Sequence, residues 1–107
     1  MTAAAAAPLS DNQLLLLARL AQCAPLRYTP AGLAVQDMLL EHASQQFEAG
    51  HLRHVTLTLK AVAFGEQAQQ LSRLALGTRL RCAGFLAAAY RGKGVVFHLQ
   101  HFEPIDH

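Results

Sequence analysis

A single domain built around β-strands is what the 107-residue sequence predicts, and three observations carry that reading. Residues 54–62, HVTLTLKAV, alternate strictly. Val55, Leu57 and Leu59 point one way while His54, Thr56, Thr58 and Lys60 point the other, the pattern of a half-buried strand. Residues 78–86, TRLRCAGFL, alternate as well, with Leu80, Cys82 and Leu86 opposite Arg79 and Arg81. Residues 95–102, VVFHLQHF, follow across the short Arg91-Gly-Lys-Gly94 turn and read as the partner strand of a hairpin.

In chain order, residues 1–12 read as a flexible tail and residues 13–107 as the folded domain. Residues 13–23, QLLLLARLAQC, are open to two readings. Ser10 to Gln13 looks like a capping box ahead of a helix carrying Leu14, Leu17, Ala18 and Ala21. The four consecutive leucines, Leu14–Leu17, equally suit a strand covered on both faces, one lining a barrel and the other a partner subunit. Residues 24–33 are punctuated by Pro25, Pro30 and Gly32 and read as a turn segment. Residues 34–50 are rich in helix formers and are again open between helix and strand. After the strand ending near Phe64, residues 66–76 contain good helix formers with Ala68, Leu71, Leu74 and Ala75 at helical spacing, and Gly77 suits a stop.

Composition narrows the function classes. The formal net charge is only +2, but residues 53–93 hold Arg53, Lys60, Arg73, Arg79, Arg81, Arg91 and Lys93 against the single acid Glu66. Such a locally basic surface attracts polyanions. Cys23 and Cys82 sit among apolar neighbours with no C-x-x-C spacing and read as small buried hydrophobes. The N-terminus lacks a positive n-region and its apolar run is too short for a signal peptide. No stretch reaches the roughly 18 apolar residues of a membrane span. The cytoplasm is the expected compartment.

Nothing points to an enzyme, a metal or a cofactor. His51/His54 and His98/His101 have i, i+3 spacing, which on a strand sends the two rings to opposite faces, and no carboxylate or cysteine cluster completes a metal site. Ser10, Ser44 and Ser72 lie in no nucleophile motif, and no glycine loop of the phosphate-binding kind is present. Asp37 and Glu41 read as surface or interface residues, and Arg79 and Arg81 as arginines whose stems cover a sheet face.

Residues 24–53 contain Ala24-Pro25-Leu26-Arg27, Pro30-Ala31-Gly32, Leu40-Glu41-His42, Glu48-Ala49-Gly50 and Arg53 in this order and spacing, and in that they resemble the primosomal replication protein N (PriB) family. Downstream, GTRLRCAGFL and VVFHLQHFEPID resemble the family's last two strands, so the likeness covers residues 14 to 106. It implies an all-β OB-fold: a five-stranded, partly open barrel with a short helix between its third and fourth strands. That makes the two ambiguous segments strands one and two. It also implies a homodimer related to single-stranded DNA-binding proteins, working as an accessory factor of replication restart. Its expected partners are single-stranded DNA, the PriA helicase and DnaT.

An OB-fold binds oligonucleotides across strands two and three, flanked by the loops between strands one and two and between strands four and five. Here the first loop carries Arg27 and Tyr28, and the second carries Tyr90, Arg91 and Lys93. Each pairs an aromatic face for stacking on unpaired bases with a cation for phosphate. Strand three adds Arg53, His54, Thr56 and Lys60. The sequence also departs from the family. Tyr28 stands where better-known members have Lys, Ala43 where they have Arg, and Thr56 near where they have Trp; the loop after strand four is shorter. Weaker DNA binding than in those members is the expectation. The alternative is an OB-fold interaction adaptor with little DNA affinity of its own.

Overall fold

The computed structural model describes residues 11–105, so the expected N-terminal tail lies outside the described residues up to residue 10. Five long strands carry the chain: β1 (Leu14–Cys23), β2 (Ala34–Glu48), β3 (His51–Phe64), β4 (Arg79–Ala88) and β5 (Val95–Pro104). One short helix, α1 (Glu66–Leu71), sits between β3 and β4. The strands run β1–β4–β5–β3–β2 around a barrel that β2 closes by pairing back onto β1. This is the OB-fold. The closure is uneven. β2 and β3 pair from Val35 with Phe64 to Glu48 with His51, whereas β3 meets β5 through only two parallel pairs, Ala61 with Phe97 and Val62 with His98.

β1 shows why local propensity misleads. Leu14, Leu16, Ala18 and Leu20 all face the core, a period of two that no helix could match. Residues 14–19 pair with β4, and from Arg19 to Cys23 the strand pairs with β2, the change of partner being marked by an irregularity at Ala21. The segment 34–48 is likewise strand despite its helix formers. Ala34, Met38 and Leu40 enter the core, and Gln36, also buried, donates from its amide to the carbonyls of Ala24 (2.6 Å) and Asp37 (2.8 Å). That buried amide anchors the loop between β1 and β2 to the strand that follows it.

The helix is shorter than the sequence spacing predicts. It ends at Leu71, whose side chain is wholly buried beside Ala68, and the chain then tightens into a turn with Leu74 N–H donating to the Leu71 carbonyl. Gly77 is therefore not the helix stop. Its N–H donates instead to the Leu20 carbonyl at 2.7 Å, leading the chain into β4. One glycine is demanded by packing. A Cβ on Gly84 would stand 1.8 Å from the backbone oxygen of His98, where β4 and β5 shift register.

That register shift changes one expectation. Opposite Ala83 and Gly84 stand His101 and Leu99, leaving Gln100 as the extra residue. Phe85 and His98 share the outer face, and so do Ala83 and His101, because the bulge resets the alternation. His98 and His101 thus fall on the same side of β5, not on opposite sides. His51 and His54 do fall on opposite sides of β3, as the alternation requires.

Candidate nucleic-acid interface

β2 and β3 form one long hairpin closed by Ala49 and Gly50, both with positive φ (53° and 79°), the geometry of a two-residue turn that follows the strand twist. Its register fixes which side chains share the outward face. From the tip inward these are Phe47 with Leu52, Gln45 with His54, Ala43 with Thr56, Glu41 with Thr58 and Leu39 with Lys60; the row continues through Asp37 with Val62 and Val35 with Phe64, where the two valines are buried. From Leu52 to Phe64 the face runs for about 40 Å at ~3.3 Å per residue. It has a polar middle and an aromatic at each end. Phe47 is 78% exposed and Phe64 41%.

His54, Thr56 and Lys60 thus lie in one line, joined by Thr58. Arg53 does not join them. It stands on the other side of the hairpin and pairs with Glu48 at 3.1 Å. Arg27 and Tyr28 form a two-residue edge strand beside Val35 and Ala34. Tyr28 is exposed, but the Arg27 guanidinium is already engaged. It donates from Nε to Asp37 Oδ2 (2.6 Å) and from Nη2 to Oδ1 (3.2 Å). The hydrogen bond, and then the charge of Asp37, push the Arg27 pKa above its ordinary value.

The loop between β4 and β5 presents its groups openly. Tyr90 is 87% exposed, and the Arg91 guanidinium carbon lies 5.3 Å from the centre of its ring. Arg91 holds a left-handed φ of 60°, unusual for a residue with a side chain. Neither Arg91 nor Lys93 has a carboxylate within ion-pair distance among the described residues.

A group of residues missing from the sequence reading links the two loops. Phe85 stacks on His98 (centroids 4.7 Å apart, planes 12° apart), and His98 stacks on Phe64 (5.9 Å, 19°). Phe64 pairs with Val35, which pairs with Arg27, and Phe85 lies three residues before the end of β4. The three rings therefore bridge the outer face from the first loop toward the second. Extending the strict alternation of β3 to Phe64, and that of β5 to His98, would have placed both outside. Counting back from Ala49-Gly50 would have found Phe47.

Burial pushes the Cys82 thiol up to about 11 and raises that of Cys23, so neither is a thiolate nucleophile at neutral pH. Among the described residues no three His, Cys, Asp or Glu side chains converge as a metal site.

An OB barrel with an aromatic-flanked outer face defines a fold of the single-strand-binding class. A sequence profile described as "another single-strand binding protein family" matches residues 12–101. The replication restart protein PriB of Bordetella pertussis is 47% identical over 95 residues, covering 88% of this chain and 89% of that protein. PriB of Nitrosomonas europaea is 32% identical over 86% of each. Among solved structures, PriB of Ralstonia solanacearum superposes with a TM-score of 0.81 at 39% identity, covering 87% of this chain and 96% of that one. The single-stranded DNA-binding protein of Thermus aquaticus gives 0.71 at 27%, covering 89% of this chain and half (50%) of that one. The chain belongs to the PriB family of replication restart proteins.

Proposed function

We propose that this protein binds single-stranded DNA without sequence preference along the outer face of β2 and β3, and that it thereby holds the PriA helicase on DNA during replication restart. The observation that carries the reading is that face. Its hydroxyls, Lys60 and His54 can meet the sugar–phosphate backbone, while Phe47 and the Phe64–His98–Phe85 stack offer rings to unpaired bases. Ring stacking tolerates every base, so such a surface reads strandedness rather than sequence. Tyr90, Arg91 and Lys93 extend it at one side, and Tyr28 at the other. Arg27 contributes less charge than its position suggests, because Asp37 neutralises it.

The protein acts as a homodimer in this reading. β1 pairs with β2 only from Arg19 onward, so the edge of residues 14–18 that faces away from β4 has no strand partner among the described residues. His42 Nδ1 donates to one carbonyl on that edge, Leu17, at 2.6 Å. Leu15, 76% exposed, and Leu17 stand on the outward side. Two copies placed edge to edge about a two-fold axis would cover these leucines and satisfy the edge. PriA and DnaT are the proposed protein partners, and the cytoplasm the compartment. Among the described residues no helix is long and apolar enough to cross a membrane.

The test is fluorescence anisotropy of a labelled oligo-dT titrated with the protein at several salt concentrations. Saturable binding, with log affinity falling against log salt by about 0.7 per neutralised phosphate, is expected. The adaptor reading draws on Ala43 and Thr56, which put neither cation nor ring at the middle of the face. Absence of binding at low salt by folded protein would select it, with PriA binding as the remaining activity.

A further inference from the structure

The β4–β5 hairpin carries Tyr90, Arg91 and Lys93 at its tip and Phe85 near its root, yet its attachment to the barrel is slight. Phe85 to Ala88 pair with β5. On their other side, the β1–β4 ladder stops at Leu14 with Gly84, so β4 continues without a strand partner there among the described residues. On the far flank, β5 meets β3 through Phe97 and His98 alone.

One side chain stands in for the missing strand. In the register that sets Leu14 opposite Gly84, position 12 falls opposite Leu86. Asn12, the last residue of the expected tail, occupies that position ahead of β1. Its Nδ2 donates to the Leu86 carbonyl at 2.8 Å, and its Oδ1 accepts from the Leu86 N–H at 3.0 Å. Exchanging both bonds with one residue is what a hydrogen-bonded antiparallel pair does. The carboxamide can do it because it holds a donor and an acceptor in one plane. The clasp falls at a sensitive point. Leu86 packs its side chain against the core, and Phe85, directly before it, stacks on His98. Three residues after Leu86 the neck of the loop is closed by Ala89 N–H donating to the Gly94 carbonyl at 3.2 Å.

We propose that Asn12 is a positioning residue for nucleic-acid binding. It touches no DNA, and it braces the β4–β5 hairpin so that Phe85, Tyr90, Arg91 and Lys93 are in place before the strand arrives. This rests on the reading that the chain binds single-stranded DNA through that loop. A loop ordered during binding subtracts from affinity, and a loop ordered beforehand does not. Arg91 and Lys93 keep their charge whether the hairpin is braced or loose. The brace therefore raises affinity without changing the number of phosphates neutralised.

The experiment is the oligo-dT titration across a salt series, with every variant shown folded by its thermal melt. Asn12→Leu keeps the net charge and removes both bonds. It should weaken binding about three- to tenfold, the range that one or two net hydrogen bonds supply, and leave the salt slope unchanged. Amide exchange at Leu86 should quicken in the same variant. The change is then repeated in a protein that already carries Tyr90→Ala, Arg91→Ala and Lys93→Ala. There it should cost about twofold or less, because the loop it positions no longer grips the strand. Equal losses in the two backgrounds would mean a general effect on the fold and would overturn the proposal. So would an Asn12→Leu protein that binds as tightly as the unaltered one. A loss accompanied by a slope flattened by about 0.7 or more would mean that cations had left the strand, and would overturn it too. Failure of the unaltered protein to bind oligo-dT would remove the underlying reading. That result is distinct from the others, because exchange at Leu86 would still respond to Asn12→Leu.

Discussion

Replacing Arg91 and Lys93 together by alanine should flatten the salt dependence of DNA binding by a calculable amount. Both are cations on an exposed loop, and neither spends its charge on a carboxylate among the described residues. Each is therefore free to neutralise one phosphate, and each phosphate contact on a single strand contributes about 0.7 to the slope of log affinity against log salt. The double variant should lose about 1.4 from that slope. Between 50 and 200 mM salt, such a change means that its affinity falls about sevenfold less than that of the unaltered protein. Arg27→Ala supplies the internal contrast. Its guanidinium is held by both oxygens of Asp37, so removing it should move the slope by less than one phosphate's worth. The assay is anisotropy of labelled oligo-dT at four or more salt concentrations. A double variant with the original slope would show that the loop does not touch DNA. A larger loss from Arg27→Ala than from the loop would show that the ion pair opens on binding and that the first loop dominates.

Three further outcomes test other regions of the structure. Gly84→Ala forces a Cβ against the His98 carbonyl and should cost about 2–4 kcal/mol, lowering the midpoint of thermal unfolding by roughly 10–20 °C; a melt within 3 °C of the original would refute the close approach. The chain contains no tryptophan, so Phe64→Trp gives a single reporter on the outer face. Its emission should be quenched by oligo-dT, and unchanged emission from a variant that still binds by anisotropy would remove the ring stack from the path. Burial raises the Cys82 thiol from its ordinary 9.0 to about 11, so the folded state favours the neutral thiol. The stability this gives is complete below about pH 9 and is lost as pH climbs through 11. Cys82→Ala should melt with a shallower decline between those two pH values, and an equal decline would place the loss in other groups.

How far these features could be read from the sequence varied with the range of the forces that fix them. β3, β4 and β5 were legible because each has one wet face, and Thr56, Thr58, Arg79 and Arg81 mark it. β1 and β2 were not legible locally. Leu15 and Leu17 point outward yet are apolar, and β2 begins with Ala34, Val35 and Gln36 all buried, so no alternation of polarity survives to distinguish strand from helix. Only the family likeness made them strands. Of the proposed face, the exposure of the loop cations and the alignment of His54, Thr56 and Lys60 could be read from position alone. The Asp37 clasp on Arg27 needs the loop to fold back onto β2, and the Phe64–His98–Phe85 stack needs three strands side by side. Arg53, part of the motif that carries the family likeness, precedes His54 directly, and in a strand adjacent residues take opposite faces.

The two-pair contact between β3 and β5 has a mechanical consequence. Every other junction of the barrel is a longer ladder, so this is the seam along which the molecule should unzip first in local fluctuations. Opening there would separate the β2–β3 hairpin, with its polar row, from the β4–β5 hairpin, with Tyr90, Arg91 and Lys93. A strand of DNA held by both would act as a suture across the gap. Amide protons beside the seam, at Ala61, Val62, Phe97 and His98, would then report occupancy of the outer surface from inside the barrel wall, without any label on the ligand.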